Sequence, residues 1–542
     1  MTHSLTLNRF KNKLALLCAV LASMSAQAQT LVFCAEGSPE FFAPSISNTA
    51  TSFDANQPIY DTLVRYLRGT TRIAPGLAER WEVSRDGTQY TFFLRRGVKW
   101  HRNALFTPSR EFNADDVLFM INRQWDPTHP FHHVTSSKHT YFNTMGLGDM
   151  LKSVDKLDDY TLRFTLHQAS TPFLPTLALH FTGVQSQEYA MAMLARGTPE
   201  LIDSHPLGTG PFVFKHYEPH QHIVYQGFAD YWRGRPNIDQ LKFDITPNAD
   251  ERWQKLQQGD CHVMPYPNPA SLGEMKQHPQ VTVLQQPGLN VGFLAYNTSK
   301  APFNDVRVRQ ALNLAIDKQA IVQEVFQGAG VEAVNPIPPT MWSHNPNVPN
   351  DVYDPQAAQM LLAQAGVPNG FETDLWAMPI SRGYNPNPQL MAKMIQADLA
   401  QIGVTAHIKT YDWVDYFRRM TLGEHSMGLI GWSGRNGDPD YFLYNLLSCE
   451  AARDGGANVA KFCDPRYDDL VMRARTIANP MQRIPLYEEA QRIVKEQAPL
   501  FMIAHGSQTV VHRNEVANFF ASPFELHDFY GVKIVAPVAQ RP

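Results

Sequence analysis

The first feature of the hydrophobic pattern is an unbroken apolar run, Leu14-Ala-Leu-Leu-Cys-Ala-Val-Leu21, behind the basic residues Arg9, Lys11 and Lys13. It is too short to span a bilayer, which takes roughly 20 residues. Ala26-Gln-Ala28 supplies the small residues that a signal peptidase needs, so residues 1–28 read as a cleavable signal peptide. From there the pattern changes to short alternating stretches closed by turn formers. Thr30-Leu-Val-Phe-Cys-Ala35 is a strand stopped at Gly37-Ser-Pro39. Trp81-Glu-Val83 and Tyr90-Thr-Phe-Phe-Leu94 predict a hairpin across Asp86-Gly87. Asn113 predicts the N-cap of a helix whose charged start is Asp115 and Asp116. Tyr160–Leu166 is another alternating strand, and Pro206-Leu-Gly-Thr-Gly-Pro211 a firm turn before Phe212-Val-Phe214.

Past residue 290 the period lengthens. Asn290–Asn297 reads as a strand and Asp305–Gly328 as one helix, with Val308, Leu312, Ala315, Ile316 and Val322 on a face. Phe371–Met378, Val404–Thr410 and Met427–Trp432 are predicted strands. Between them lie a helix Pro386–Ile402, capped by Asn385, and a helix Val414–Leu422. Such alternation predicts an α/β fold with a mostly parallel sheet covered on both faces, and ligands beyond the carboxyl ends of its strands. Since single cores stop growing near roughly 250–300 residues, the expected architecture is two α/β lobes joined by crossings near residues 287 and 505. The first lobe is 29–287 with 506–542, and the second is 288–505. Two crossings make a hinge.

Composition narrows the function. The chain has 47 Lys and Arg against 51 Asp and Glu; the leader removes three basic residues and no acidic one, so the mature balance moves from −4 to −7. No basic stripe suits nucleic acid. After Cys18 is removed with the leader, Cys34, Cys261, Cys449 and Cys463 remain. An even count in an exported chain reads as two disulfides, with three pairings open. Cys449 and Cys463 are close enough to clip one loop, while a metal site lacks a CxxC pair or a histidine at ligand spacing. His216, His220 and His222 read as exposed scatter. Enzymatic constellations are missing: no Gly-Lys dipeptide builds a P-loop, no HExxH occurs, and Gly431-Trp-Ser-Gly-Arg435 breaks the nucleophile-elbow pattern at Arg435. The expectation is a non-catalytic, monomeric protein without a cofactor.

Leu77-Ala-Glu-Arg-Trp-Glu-Val-Ser-Arg-Asp-Gly-Thr-Gln-Tyr-Thr-Phe, with Leu94-Arg-Arg-Gly-Val-Lys-Trp-His101 and Phe112-Asn-Ala-Asp-Asp-Val117, resembles the signature of the peptide- and nickel-type solute-binding proteins of ABC importers, family 5. Val263-Met-Pro-Tyr-Pro-Asn268, Pro287-Gly-Leu-Asn-Val291, Ile337-Pro-Pro-Thr-Met-Trp342, Leu375-Trp-Ala-Met-Pro379 and Gly437-Asp-Pro-Asp440 are similar to dipeptide-binding members. The resemblance implies a two-lobed periplasmic-binding-protein fold with a subdomain inserted in the first lobe, and disulfides Cys34–Cys261 and Cys449–Cys463. It also implies a periplasmic location, a short peptide or peptide-like ligand, and inner-membrane permease subunits as partners. Relatives that carry haem or nickel chelates supply the alternative ligand class.

A dipeptide is a zwitterion, and a dry cleft must give each end a partner. The resemblance assigns the ligand carboxylate to Arg382. At the position where those members carry an aspartate for the amine, this chain has Arg435. Three readings stay open: Arg435 accepts a second acidic group, as on an acidic, γ-linked or N-blocked peptide; Asp438 or Asp440 takes the amine; or the ligand is not a peptide. Trp432 is the expected cleft wall, its backbone pairing with an extended ligand. Trp413, Tyr384 and Trp342 are side-chain pocket candidates or core, and Gly37 and Ser38 lie on the expected cleft side.

Overall fold

The computed structural model describes residues 29–47, 49–134, 139–379, 382–411, 413–434, 436–524 and 526–535; the signal-peptide reading falls outside them. β1 (Thr30–Ala35) is the opening apolar run, with Leu31, Phe33 and Cys34 fully buried. β2 (Val64–Tyr66) and β3 (Ile73–Pro75) form a short antiparallel ladder. β4 (Ala78–Val83) and β5 (Gln89–Leu94) are the expected hairpin, turned at Gly87 with φ +71, a region that favours glycine. With β6 (Leu151–Asp158) and β7 (Thr161–Leu166) they make a four-stranded sheet in the order β4-β5-β7-β6.

The helix Ala114–Trp125 packs in one core with this sheet, which holds Val117, Ile121, Phe92 and Phe164. Asn113 caps it as expected. Its side chain accepts from Asp115 N at 3.0 Å, Asp116 accepts from Asn113 N at 3.0 Å, and Arg110 grips Asp116 at 2.7 and 2.8 Å. From the same helix the buried Arg123 makes a two-oxygen contact with buried Asp203, at 2.8 and 2.7 Å.

The larger sheet begins with β8 (Phe212–Glu218), β9 (His222–Gly227) and β10 (Gln240–Ile245), antiparallel in succession. β1 lies parallel to both β10 and β11 (Val263–Pro265). β12 (Val281–Pro287) leads to β13 (Asn290–Tyr296), and β14 (Gly330–Glu332), β15 (Glu372–Trp376), β16 (Thr405–Lys409) and β17 (Met427–Ser433) follow. β18 (Leu500–Arg513) then runs back through everything as one 14-residue strand. The order is β16-β15-β17-β13-β18-β11-β1-β10-β9-β8, with β12 and β14 also paired to β18. β18 pairs with β13 and β14 up to Gly506, and with β12 and β11 from Ser507 onward.

Three expectations need correction. The sheet past residue 290 is mixed. β15 is parallel to β16 and β17, where helices cross over, but β13 is antiparallel to β17 and β18. One crossing leads out and the other returns, so β13 and β18 must run in opposite directions. The single helix Asp305–Gly328 is broken: it runs Val306–Ala315, and then Asp317 caps a new turn, Lys318–Ile321, by accepting from Ala320 N at 2.9 Å. An aspartate that bonds its own downstream backbone competes with the helix ladder. The helix expected from Pro386 starts at Pro388, capped by Asn387; Asn385 is used elsewhere.

Both disulfides follow the pairing that the resemblance implied, with Cα separations of 5.9 Å for Cys34–Cys261 and 4.5 Å for Cys449–Cys463.

Two outcomes are expected. Asp203→Ala strands the Arg123 charge in the core and lowers unfolding free energy by about 3–5 kcal/mol in urea titrations. Burial pushes both His101 and His505 down to about 4, against a backbone hydrogen bond that works the other way. The unfolded chain, with histidines near pH 6.5, then binds more protons than the fold. Stability therefore falls as pH drops from 6.5 towards 4 and levels off below, each histidine contributing on the order of 3 kcal/mol. His505→Gln should flatten that part of the profile.

Candidate functional site

Glycine inside a strand marks a place where something comes close. Gly292, Gly431 and Gly506 sit on β13, β17 and β18, and Gly292 is in register with Gly431. A Cβ on Gly292 would lie 2.2 Å from Tyr384 O, one on Gly431 2.2 Å from the Tyr384 ring, and one on Gly506 2.2 Å from Gly383 O. What approaches is the turn Arg382–Asn385, closed by reciprocal backbone bonds between Arg382 and Asn385 of 2.9 Å each. This use of Asn385 is why it does not cap the following helix. Tyr384 is thereby buried at 7 % exposure, while Arg382 at the turn's start is exposed. Burial pushes the Tyr384 phenol up, and the Arg382 guanidinium beside it pulls the other way.

The same crossing holds a polar clasp. Asn290 Oδ1 accepts from Gly506 N at 2.7 Å, and its Nδ2 donates to Gly506 O at 3.1 Å. Gly288 N donates to that carbonyl at 2.9 Å, and His505 Nδ1 meets Asn290 O at 2.7 Å.

Trp432 lies half-buried in β17, opposite Val291, and its indole N–H donates to Tyr441 O at 3.0 Å. The last five residues of β17, Leu429–Ser433, run past β15, whose pairing with β17 stops at Gly428. Arg435, which follows, lies outside the described residues. Asp438 is buried and points inward: both its oxygens meet Arg483, at 2.7 and 2.5 Å. Arg483 also donates to Tyr487 at 2.6 Å and lies 5.2 Å over the Trp342 ring. Burial works against the Arg483 charge, but Asp438 and Tyr487 overcome it and hold the guanidinium above its ordinary value. Asp440 is pushed up to about 7, by burial first, against the opposing pull of Arg475, whose Nε lies 3.2 Å away.

The structure thus gathers the predicted residues into two groups. Arg382 and Tyr384 stand over the crossing beside β17. Trp342 joins Asp438 through Arg483, and its indole N–H donates to Gly437 O at 3.2 Å. Trp413 opens the helix Trp413–Thr421, and its side chain lies outside the described residues. Gly37 and Ser38 follow β1, and Ser38 Oγ accepts from His220 N at 3.0 Å. Among the described residues no group of three or more His, Cys, Asp or Glu could hold a metal ion, and no helix is long and apolar enough to cross a membrane.

Residue-by-residue reading missed Arg483, Asn290 and Tyr66. Tyr66 accepts from Gly437 N at 3.1 Å and ties the β2–β3 ladder to the loop after Trp432. The three strand glycines carried a signal, but what they admit lies far away in sequence.

Gly506→Ala is expected to lower stability by about 1–3 kcal/mol through overpacking against Gly383. Gly273→Ala, with nothing within 4 Å of its Cβ, should be neutral or slightly stabilising. Asp438→Ala, which leaves Arg483 buried without its carboxylate, should cost about 3–5 kcal/mol. Urea midpoints of the three variants check the ranking.

Residues 72–454 match the model of the bacterial extracellular solute-binding proteins, family 5 middle. The dipeptide-binding protein of Escherichia coli is 48% identical over 96% of this chain and 97% of its own. Heme-binding protein A of Haemophilus influenzae is 47% identical over 94% and 93%. HbpA2 from Haemophilus parasuis superposes with a TM-score of 0.91 at 43% identity, over 94% of this chain and 100% of that one. A dipeptide-binding protein of Pseudoalteromonas in complex with Met-Leu gives 0.69 at 38% identity, over 93% and 100%. The chain therefore belongs to the bacterial extracellular solute-binding protein family 5, with its two-lobed α/β fold.

Proposed function

We propose that this chain is the periplasmic, non-catalytic receptor of an ABC importer, which closes two lobes around a short peptide and hands it to permease subunits in the inner membrane. The observation that carries this reading is the seat of the Arg382–Asn385 turn on Gly292, Gly431 and Gly506, where the strands cross. There a guanidinium and the edge of Ile430–Ser433, beyond the Leu429 carbonyl that Tyr416 takes, meet a ligand together. The charge takes its carboxylate, and the strand pairs with its backbone, as in strand addition. Family membership and the Met-Leu complex of a 38% identical relative support a peptide ligand.

The lobes in this reading are 29–287 with 506–542, and 288–505. Closure turns about Gly288 and Gly506. Support comes from the superpositions: two structures of similar identity, 43% and 38%, score 0.91 and 0.69. A change in how two rigid halves are set against each other lowers the score without altering either half.

The amine end is the departure. Asp438 is committed to Arg483, and pulling it into the cleft would forfeit a buried pair. Arg435 then favours a ligand with a second acidic group, an acidic or γ-linked peptide over a simple dipeptide. The 47% identical haem-binding relative favours one second reading, a haem-type ligand, with Arg382 and Arg435 meeting its carboxylates.

Calorimetry with neutral and acidic short peptides tests the main reading. Arg382→Ala should cost about 2–5 kcal/mol of binding, and scattering should show a smaller radius on ligand addition. Loss of neither affinity nor radius would remove the proposal. A Soret band that survives gel filtration would select the haem reading.

A further inference from the structure

The first lobe holds a cavity of about 150 Å³ that the site above does not use. Three guanidiniums line it: Arg65 on β2, Arg68 in the β2–β3 turn, and Arg233. Two carboxylates, Asp61 and Asp528, line the same cavity, so three guanidiniums face two acids. Asp61 accepts from Thr209, Tyr231 and Trp232 at 2.9 Å each, all neutral donors. Asp528 lies 3.5 Å from Arg68. Arg65 donates to the backbone carbonyls Pro75 O and Tyr66 O at 3.1 and 3.4 Å, and Arg233 lies 4.3 Å over the Tyr530 ring. Among the described residues neither has a carboxylate within salt-bridge distance. Burial first, and then the repulsion of Arg233, lower Arg65 below its ordinary value, while Asp528 and Asp61 pull the other way without restoring it. One positive charge is thus left in excess part-way out of water, which is costly unless a further anion joins it.

The cavity adjoins the candidate cleft. Tyr66 lines it, packs on Phe524 with ring centroids 4.2 Å apart, and bonds Gly437 N in the loop after Trp432. We propose that this cavity is a second anion subsite, which receives the carboxylate-ended side arm of a peptide whose backbone lies in the cleft, gripped by Arg65 and Arg233. The guanidiniums set the class. A void of roughly 150 Å³ admits a benzene-sized group, enough for a glutamate side chain. Planar guanidiniums match a carboxylate in two-point fashion. The proposal rests on the reading of the cleft as a peptide site. The same chemistry would also hold a free dicarboxylate.

The test is calorimetry on the full mature protein with Ala-Ala, Ala-Glu and Glu-Ala, and separately with glutarate. One glutamate-bearing peptide should bind about tenfold or more tighter than Ala-Ala. In Arg233→Gln and in Arg65→Gln that preference should shrink to about threefold or less, with Ala-Ala unchanged. Arg65→Lys, which keeps the charge and loses the fork, should fall between and replaces Arg65→Gln if the latter does not fold. No acidic preference in the wild type, or a preference that survives both glutamine variants, overturns the subsite. If no peptide binds at all, the peptide reading fails on its own and glutarate decides the cavity: binding lost in Arg233→Gln upholds an oxyanion site for a free small acid, and no binding overturns it.

Discussion

The architecture depends on one residue meeting another where β18 changes partners. At Gly506 the strand leaves β13 and β14 and joins β12, so its amide hydrogen needs an acceptor at the changeover. The Asn290 side chain provides one at 2.7 Å and donates back to the same carbonyl. A buried amide without an acceptor would cost about 1–3 kcal/mol. Asn290 stands two residues past Gly288, on the outgoing crossing, so a single side chain fastens the outgoing strand to the returning one. The absence of a Cβ at Gly506 then leaves room for Gly383 O, which brings the turn bearing Arg382 onto the joint itself. The guanidinium proposed to meet the ligand and the residue proposed as the turning point are thus neighbours by packing.

Much of this was legible in the sequence wherever the physics is local. The β4–β5 hairpin follows from alternation and an Asp-Gly turn. The start of the helix at Ala114 follows from Asn113, although its completion by Asp116 and Arg110 adds tertiary contact. Local signals failed where two of them compete. Asn385-Pro386 and Asn387-Pro388 are equally good helix starts, and only the turn at Arg382, which consumes Asn385, chooses between them. The apolar stripe of residues 308–322 continues through Asp317, whose side chain takes a backbone amide and ends the helix regardless of the stripe.

The site itself was half legible. Residue type and the family resemblance singled out Arg382 and Trp432, and the strand glycines announced a close approach without saying to what. Asp438 could not be read correctly from its neighbours, because its partner Arg483 is 45 residues away on the long helix Pro480–Gln497. In sequence, an Asp-Pro-Asp loop after a tryptophan strand offers two carboxylates to a ligand. In the fold, one is locked to Arg483 and the other is drawn towards Arg475.

That commitment bears on how ligand choice is encoded. Gly434 N donates to Leu289 O at 2.5 Å, and a Cβ on Gly434 would lie 2.5 Å from the Phe442 ring; Asn436 is fully buried and accepts from Asp438 N at 3.1 Å. The residues on both sides of position 435 are therefore held by the scaffold. Relatives named for a dipeptide and for haem stand at 48% and 47% identity, so overall similarity cannot select the ligand. In the proposed reading, the sign of a few charges in the cleft does so. In this chain Arg382 and Arg435 are both positive in the segments where the ligand's two ends are expected, which argues for a cargo more acidic than a simple zwitterion.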